Sequence, residues 1–226
     1  MSTTIKFTNS YGEQISSQQA ESIEYYLREE YEDDFGLRKK IRYNKGAVVG
    51  TTHYLKNSEN PNDLIINSLA GSDSRGFYFN KQIINGYTIW DIESFKDAEK
   101  IHKAKEVWDS KNRTLAYQQI EIHSNAVIGT RKYFYLEDLG PYFSEAPSIP
   151  DNGVFEFDYN FSGLEPGEIF VVINLMLYMD VGGGGFNINP EENIFLEDSR
   201  LASVFTWLDH PYYHNATPLI PTNQSV

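Results

Sequence analysis

The sequence predicts an α+β fold: a duplicated strand–helix–hairpin–strand unit of about 78 residues with a mostly antiparallel sheet, followed by a C-terminal strand and helix. Three observations carry this. Capping-box patterns open two segments with helical apolar spacing. One hairpin motif occurs twice at nearly constant offset. A single strongly apolar run, Ile169–Ile173, follows the second unit and reads as a buried strand. The units are placed at residues 1–80 and 81–158, with an acidic strand–loop–helix and irregular tail at 159–226, all in one compact body.

In the first unit, Thr4–Phe7 reads as a strand. Ser16 with Gln19 three residues later is a capping box, and Ala20, Ile23, Leu27 and Tyr31 continue at helical spacing, so a helix is expected over about 17–32. Leu37–Tyr43 and Ala47–Tyr54 flank Asn44-Lys45-Gly46, a hairpin signal. Leu64–Asn67 and Phe77–Asn80 are further strand candidates around a turn-like Gly71–Gly76.

The pattern then recurs. Tyr87–Ile92 precedes Ser94, Asp97, Ala98, Ile101 and Ala104, a second expected helix at an offset of 78. Ala126-Val127-Ile128-Gly129-Thr130 matches Ala47-Val48-Val49-Gly50-Thr51 at 79, and Tyr133 matches Tyr54. Phe155–Asp158 falls on Phe77–Asn80. In the remainder, Ser199 with Leu201, Val204, Phe205 and Leu208 predicts a helix stopped before Pro211.

Composition narrows the function. There is no cysteine, which excludes a disulfide framework, a thiolate metal site and a thiol nucleophile. No apolar run reaches the roughly 18 residues of a spanning helix, and Met1–Phe7 lacks a signal-peptide core, so a soluble cytoplasmic protein is expected. The net charge is −13, against a phosphate-binding surface, so direct binding of nucleic acid is not expected. That charge is segregated. After Lys132 the chain holds fourteen acids and one base, Arg200, while residues 1–132 balance. Solubility does not require segregation; a steering field toward a basic partner or a cation does.

The chemical motifs are sparse. Gly182–Gly185 follows a strand but lacks the Lys-Ser/Thr of a phosphate loop. Asp180, Asn187, Asn189 and Glu191 offer alternating oxygen ligands that could wrap Ca²⁺, although a loop ended by Pro190 at a short helix start explains them better and no cofactor is assigned. His210 and His214 have zinc-like spacing, but Pro211 between them argues against one helix face. Glu156 and Asp158 share a strand face, as an acid–base pair would. No Gly-x-Ser-x-Gly is present.

The hairpin Ile41–Tyr54 resembles the Tyr-x-x-Gly-x-x-x-Gly-x-x-x-Tyr hairpins of MORN-like bacterial repeats over fourteen residues, with Asn125 in place of Gly46 in its second copy. That resemblance implies a repeated hairpin and no activity. The expected function is a non-catalytic, acidic interaction protein, an immunity- or antitoxin-type neutraliser of a basic protein. Glu191, Glu192, Glu197 and Asp198 would provide the charge, and exposed Tyr212 and Tyr213 the aromatic anchors. Alternatives are a structural or adhesive component, such as one of a phage particle, and a metal-dependent or carbohydrate-active enzyme.

Overall fold

The computed structural model describes residues 2–10, 13–68, 74–97, 99–135, 138, 154–160, 171–176, 178–180, 186–188, 192–194 and 209–222. Two compact units are present, Met1–Lys105 with Glu121–Asn125, and Glu106–Ile120 with Ala126–Val226. Both are dominated by β-sheet, and the only α-helices among the described residues are two short ones.

The first unit contains β1 (Thr3–Asn9), β2 (Gln14–Ile15), α1 (Ser17–Ser22), β3 (Tyr25–Glu32), β4 (Gly36–Asn44), β5 (Ala47–Tyr54), α2 (Pro61–Ser68), β6 (Ser74–Ile84), β7 (Tyr87–Lys96) and most of β8 (Glu99–Trp108). Its strands are hydrogen-bonded in the order β8-β7-β6-β5-β4-β3-β1-β2. The predicted β4–β5 hairpin forms, turning through Lys45 and Gly46 at φ of 50° and 77°. Two successive positive φ values are the primed turn that matches strand twist. Asn85 and Gly86, at 52° and 85°, close β6 onto β7 in the same way.

Both faces of this sheet carry polar residues. In β3 no residue is buried, and in β4 only Ile41 is. Cross-strand charge pairs stand in for an apolar layer. Glu29 sits opposite Lys40 with Oε1 3.1 Å from Nζ, and Lys6 lies 4.8 Å from the Tyr31 ring centre. Such pairs contribute about 0.2–1 kcal/mol each.

A real core begins where α2 crosses over between β5 and β6, which pair in parallel. There Leu55, Phe77 and Phe95 are buried, with Leu64 of the helix and Phe79 packed on them. On the other face Tyr54, Tyr78 and Trp90 pack edge-on or tilted. Arg38 pins the chain before α2 with two bonds to Glu59 (2.6 and 3.0 Å) and one to Glu32 (3.0 Å).

The duplicated α+β architecture is therefore overturned. The Ser16 capping box does form, with Gln19 N–H donating to Ser16 Oγ and Ser16 N–H to Gln19 Oε1. However, α1 stops at Ser22, and residues 25–32 are β3. The second expected helix is replaced by β7 and β8, turning at Asp97 with φ of 49°. The cause is the same in both places. Short helices have little stability unless an apolar stripe docks, whereas the Glu and Lys of these segments find opposite charges across strands, including Lys100–Glu93 and Lys105–Asp91 at 2.7 Å. Leu64–Asn67, expected as strand, belongs to α2. Pro61 opens that helix and Asn60 Oδ1 accepts from the Asn62 amide. The expected C-terminal helix over 201–208 lies outside the described residues.

The second unit takes the end of β8, β9 (Thr114–Ile120), β10 (Val127–Tyr135), β11 (Val154–Asn160), β12 (Val171–Met176), β13 (Tyr178–Asp180), β14 (Phe186–Ile188), β15 (Glu192–Ile194) and a 3₁₀ turn, Pro211–His214. The order is β15-β12-β11-β10-β9-β8, with β13–β14 a separate pair. Ala116, Thr130, Lys132, Phe134, Phe157 and Tyr159 form a buried face, and Tyr212 and Tyr213 lie against it.

Candidate functional site

Most of the predicted binding carboxylates lie outside the described residues. Glu191, Glu197 and Asp198 lie outside the described residues, and Glu192 starts β15, opposite Leu175. Tyr212 and Tyr213 are 6% and 0% exposed, so the expectation of two exposed anchors is corrected: both rings are core. Of the weak calcium candidates, Asp180 ends β13 opposite Phe186, Asn187 in β14 is opposite Met179, and Asn189 and Glu191 are outside the described residues. Among the described residues no group of three His, Asp or Glu is arranged to hold a metal ion. Pro211, read as a barrier to helix between His210 and His214, is the first residue of a 3₁₀ turn, a position where its missing N–H costs nothing.

The Tyr213 ring packs on Phe134 and Phe157, and the segment that carries both tyrosines is held by Lys132, which the sequence did not single out. Its Nζ donates to the carbonyls of Tyr212 (2.6 Å) and Asn215 (2.7 Å) and lies 3.8 Å from the Tyr212 ring centre. Tyr213 hydroxyl donates to Tyr133 carbonyl at 3.1 Å, Tyr159 hydroxyl donates to Tyr213 carbonyl, and Tyr212 hydroxyl to Leu219 carbonyl at 2.6 Å. Burial pushes the Lys132 ammonium down to about 7. The carbonyls and the ring face oppose that shift, since each favours the charged form. This side chain fastens residues 209–222 to the sheet face.

The opposite face of β10 and β11 is polar and accessible. Arg131 Nε lies 3.3 Å from Glu156 Oε1 and 3.2 Å from Asp158 Oδ2. The two carboxylates read as an acid–base pair are thus partners of one guanidinium. Burial and the charge of Glu156 push the Tyr133 phenol up, and Tyr117 is pushed up to about 12, mainly by burial.

Next to this cluster, the repeated Ala-Val-x-Gly-Thr motif has a structural meaning. In β4–β5, Tyr43 pairs with Val48 and Arg42 with Gly50, skipping Val49. In β9–β10, Ile120 pairs with Val127 and Gln119 with Gly129, skipping Ile128. The same β-bulge occupies matching positions. Even the exposures agree: 43% and 45% for Val48 and Val49, 42% and 41% for Val127 and Ile128. The glycines differ in what covers them. A Cβ on Gly50 would stand 2.5, 2.9 and 3.1 Å from Nη2, Nε and Cζ of Arg42. Over Gly129 no heavy atom of the described residues, chain neighbours aside, comes within 4 Å of that position. A cavity of about 70 Å³ opens there, lined by Tyr117, Gln119, Ile128, Gly129, Arg131 and Asp158 among others.

Against this geometry, comparison with known proteins adds no assignment: no protein-family model, curated protein or solved structure matches the chain. Among the described residues no helix is long and apolar enough to cross a membrane.

Proposed function

We propose that this chain is a non-catalytic interaction protein that captures a basic protein partner and occludes that partner's working surface, as immunity proteins do. The observation that carries the reading is charge segregation: fourteen acids and one base after Lys132, and balance before it. A one-signed field accelerates encounter with an oppositely charged protein by tenfold or more and fades with a Debye length of about 8 Å at physiological ionic strength. The face of β10–β11 that carries Glu156 and Asp158 supports it, with exposed Val127 and Ile128 on the same hairpin. Affinity capture with the full chain, followed by association kinetics of the recovered basic protein across a salt series, tests it. A strongly salt-dependent association rate is expected, and recovery of only neutral or acidic partners would remove the reading.

A second reading, a structural component assembling edge to edge, draws on β1. Among the described residues β2 pairs only with Phe7 and Thr8, leaving Thr3–Lys6 as an outer edge with Ile5 exposed. Concentration-dependent oligomers lost in Ile5→Pro would favour it over capture of a basic partner.

A further inference from the structure

We infer that the cavity over Gly129 is a socket for the guanidinium group of an arginine presented by the protein partner. The inference rests on the reading of a basic partner and names the side chain that the partner inserts.

The chain contains its own precedent. In the β4–β5 hairpin, with the same motif and the same bulge, the space above the glycine is filled by an arginine guanidinium from the directly paired position, Arg42 opposite Gly50. In β9–β10 the directly paired residue on β9 is Gln119, shorter and uncharged, and no heavy atom of the described residues, chain neighbours aside, comes within 4 Å of a Cβ position on Gly129. The backbone that seats a guanidinium is present twice, and among the described residues only one copy carries its occupant.

The lining of the open copy suits that group. Tyr117 supplies an aromatic wall on which a planar cation can stack. Asp158 lines the cavity together with Arg131, whose Nε it holds at 3.2 Å, and its carboxylate can accept from a second guanidinium. Ile128 lines the same cavity and, with Val127, leaves apolar surface exposed beside it. A planar charged anchor flanked by apolar contact is the composition of an interface hot spot, where arginine is enriched. A lysine ammonium lacks the planar surface that the tyrosine wall selects.

The test uses the full chain and N-acetyl-L-arginine amide as probe, followed by amide NMR shifts, with N-acetyl-L-lysine amide alongside. Saturable shifts centred on Ile128, Gly129 and Asp158 are expected at millimolar arginine probe, with a response to lysine weaker by roughly fivefold or more. Two variants close the socket differently. Gly129→Leu fills the open space, and Gln119→Arg rebuilds the Arg42–Gly50 arrangement inside the chain. Each should weaken the arginine probe by roughly tenfold or more while far-UV circular dichroism is unchanged. Absence of saturable shifts, an equal response to the lysine probe, or shifts that persist in both variants would overturn the socket. The last two results leave the salt-dependent capture of a basic protein standing. Loss of that salt dependence would remove the basic-partner reading while the arginine response at Gly129 stays intact, so the two failures are distinguishable.

Discussion

Replacing Lys132 with methionine separates what this residue contributes as a donor from what its charge costs. Methionine keeps the apolar stem and volume but leaves the carbonyls of Tyr212 and Asn215 without the donors now at 2.6 and 2.7 Å. A buried acceptor left unmet costs about 1–3 kcal/mol, so two give a total of about 2–4 kcal/mol once relaxation is allowed. That full loss is expected only above the ordinary lysine value of 10.5, where the amine is neutral in both the folded and the unfolded chain and still donates. The sign of the pH effect follows from the shift. Burial lowers the folded-state value from the ordinary 10.5 to about 7, so the wild type is most stable above the unfolded value. It loses that stability as pH falls from there through 7. The methionine variant has no such term, and the penalty of the substitution should therefore shrink from about pH 10.5 to about pH 7 and level off below that. The assay is urea unfolding read by hydrogen exchange on peptides covering 127–135 and 209–222, which isolates this part of the chain. A penalty unchanged across the range would mean that the carbonyls and the Tyr212 ring hold the ammonium charged throughout, refuting the argument from burial.

Three further outcomes follow from particular contacts. Gly46→Ala places a side chain at a φ of 77° and should lower stability by about 1 kcal/mol, whereas Gly129→Ala, on ordinary backbone with open space above it, should change thermal melting by only a few tenths. Glu121 accepts from the amides of His123 (2.9 Å) and Ser124, which hold its carboxyl down to about 2, so its support of the 121–125 turn is present above the ordinary glutamate range and lost as pH falls toward 2. Glu121→Gln should speed exchange of the Ser124 amide at neutral pH, and an unchanged rate would show that the carboxylate does not hold the turn. Phe77→Ala, at a site 1% exposed between Leu55 and Phe95, should cost about 3–5 kcal/mol by equilibrium unfolding, and a loss under 1 kcal/mol would show that α2 does not seal this core.

Strands rich in β-branched and aromatic residues were legible in the sequence. Thr4–Phe7, Leu37–Tyr43, Ala47–Tyr54, Phe77–Asn80, Tyr87–Ile92 and Phe155–Asp158 all fall in strands, and the hairpin matched at Ile120–Tyr133 forms between β9 and β10. The helices were misread because Glu, Lys and Ala favour helix intrinsically, and a sheet wet on both faces uses those same residues for cross-strand pairing. Asn85-Gly86 was the strongest short hairpin signal in the chain, and it would have joined Phe77–Asn80 to Tyr87–Ile92 directly. Burial of Tyr212 and Tyr213 had no local signal, because the group that fastens them, Lys132, is 80 residues away. The repeated Ala-Val-x-Gly-Thr motif was visible, but its meaning was not. That Arg42 covers one glycine while Gln119 leaves the other open depends on register, which the bulge shifts by one residue.

The capture of a basic protein is tested most directly by the association rate of the full chain with its recovered partner, measured from low salt to about 0.5 M beside a variant with Glu191, Glu192, Glu197 and Asp198 changed to Gln or Asn. The account predicts a wild-type rate falling by roughly tenfold or more across that range. In the variant the rate should be slower at low salt and its salt slope shallower. Equal, salt-independent rates for both proteins would contradict it and leave the acidic residues with solubility alone.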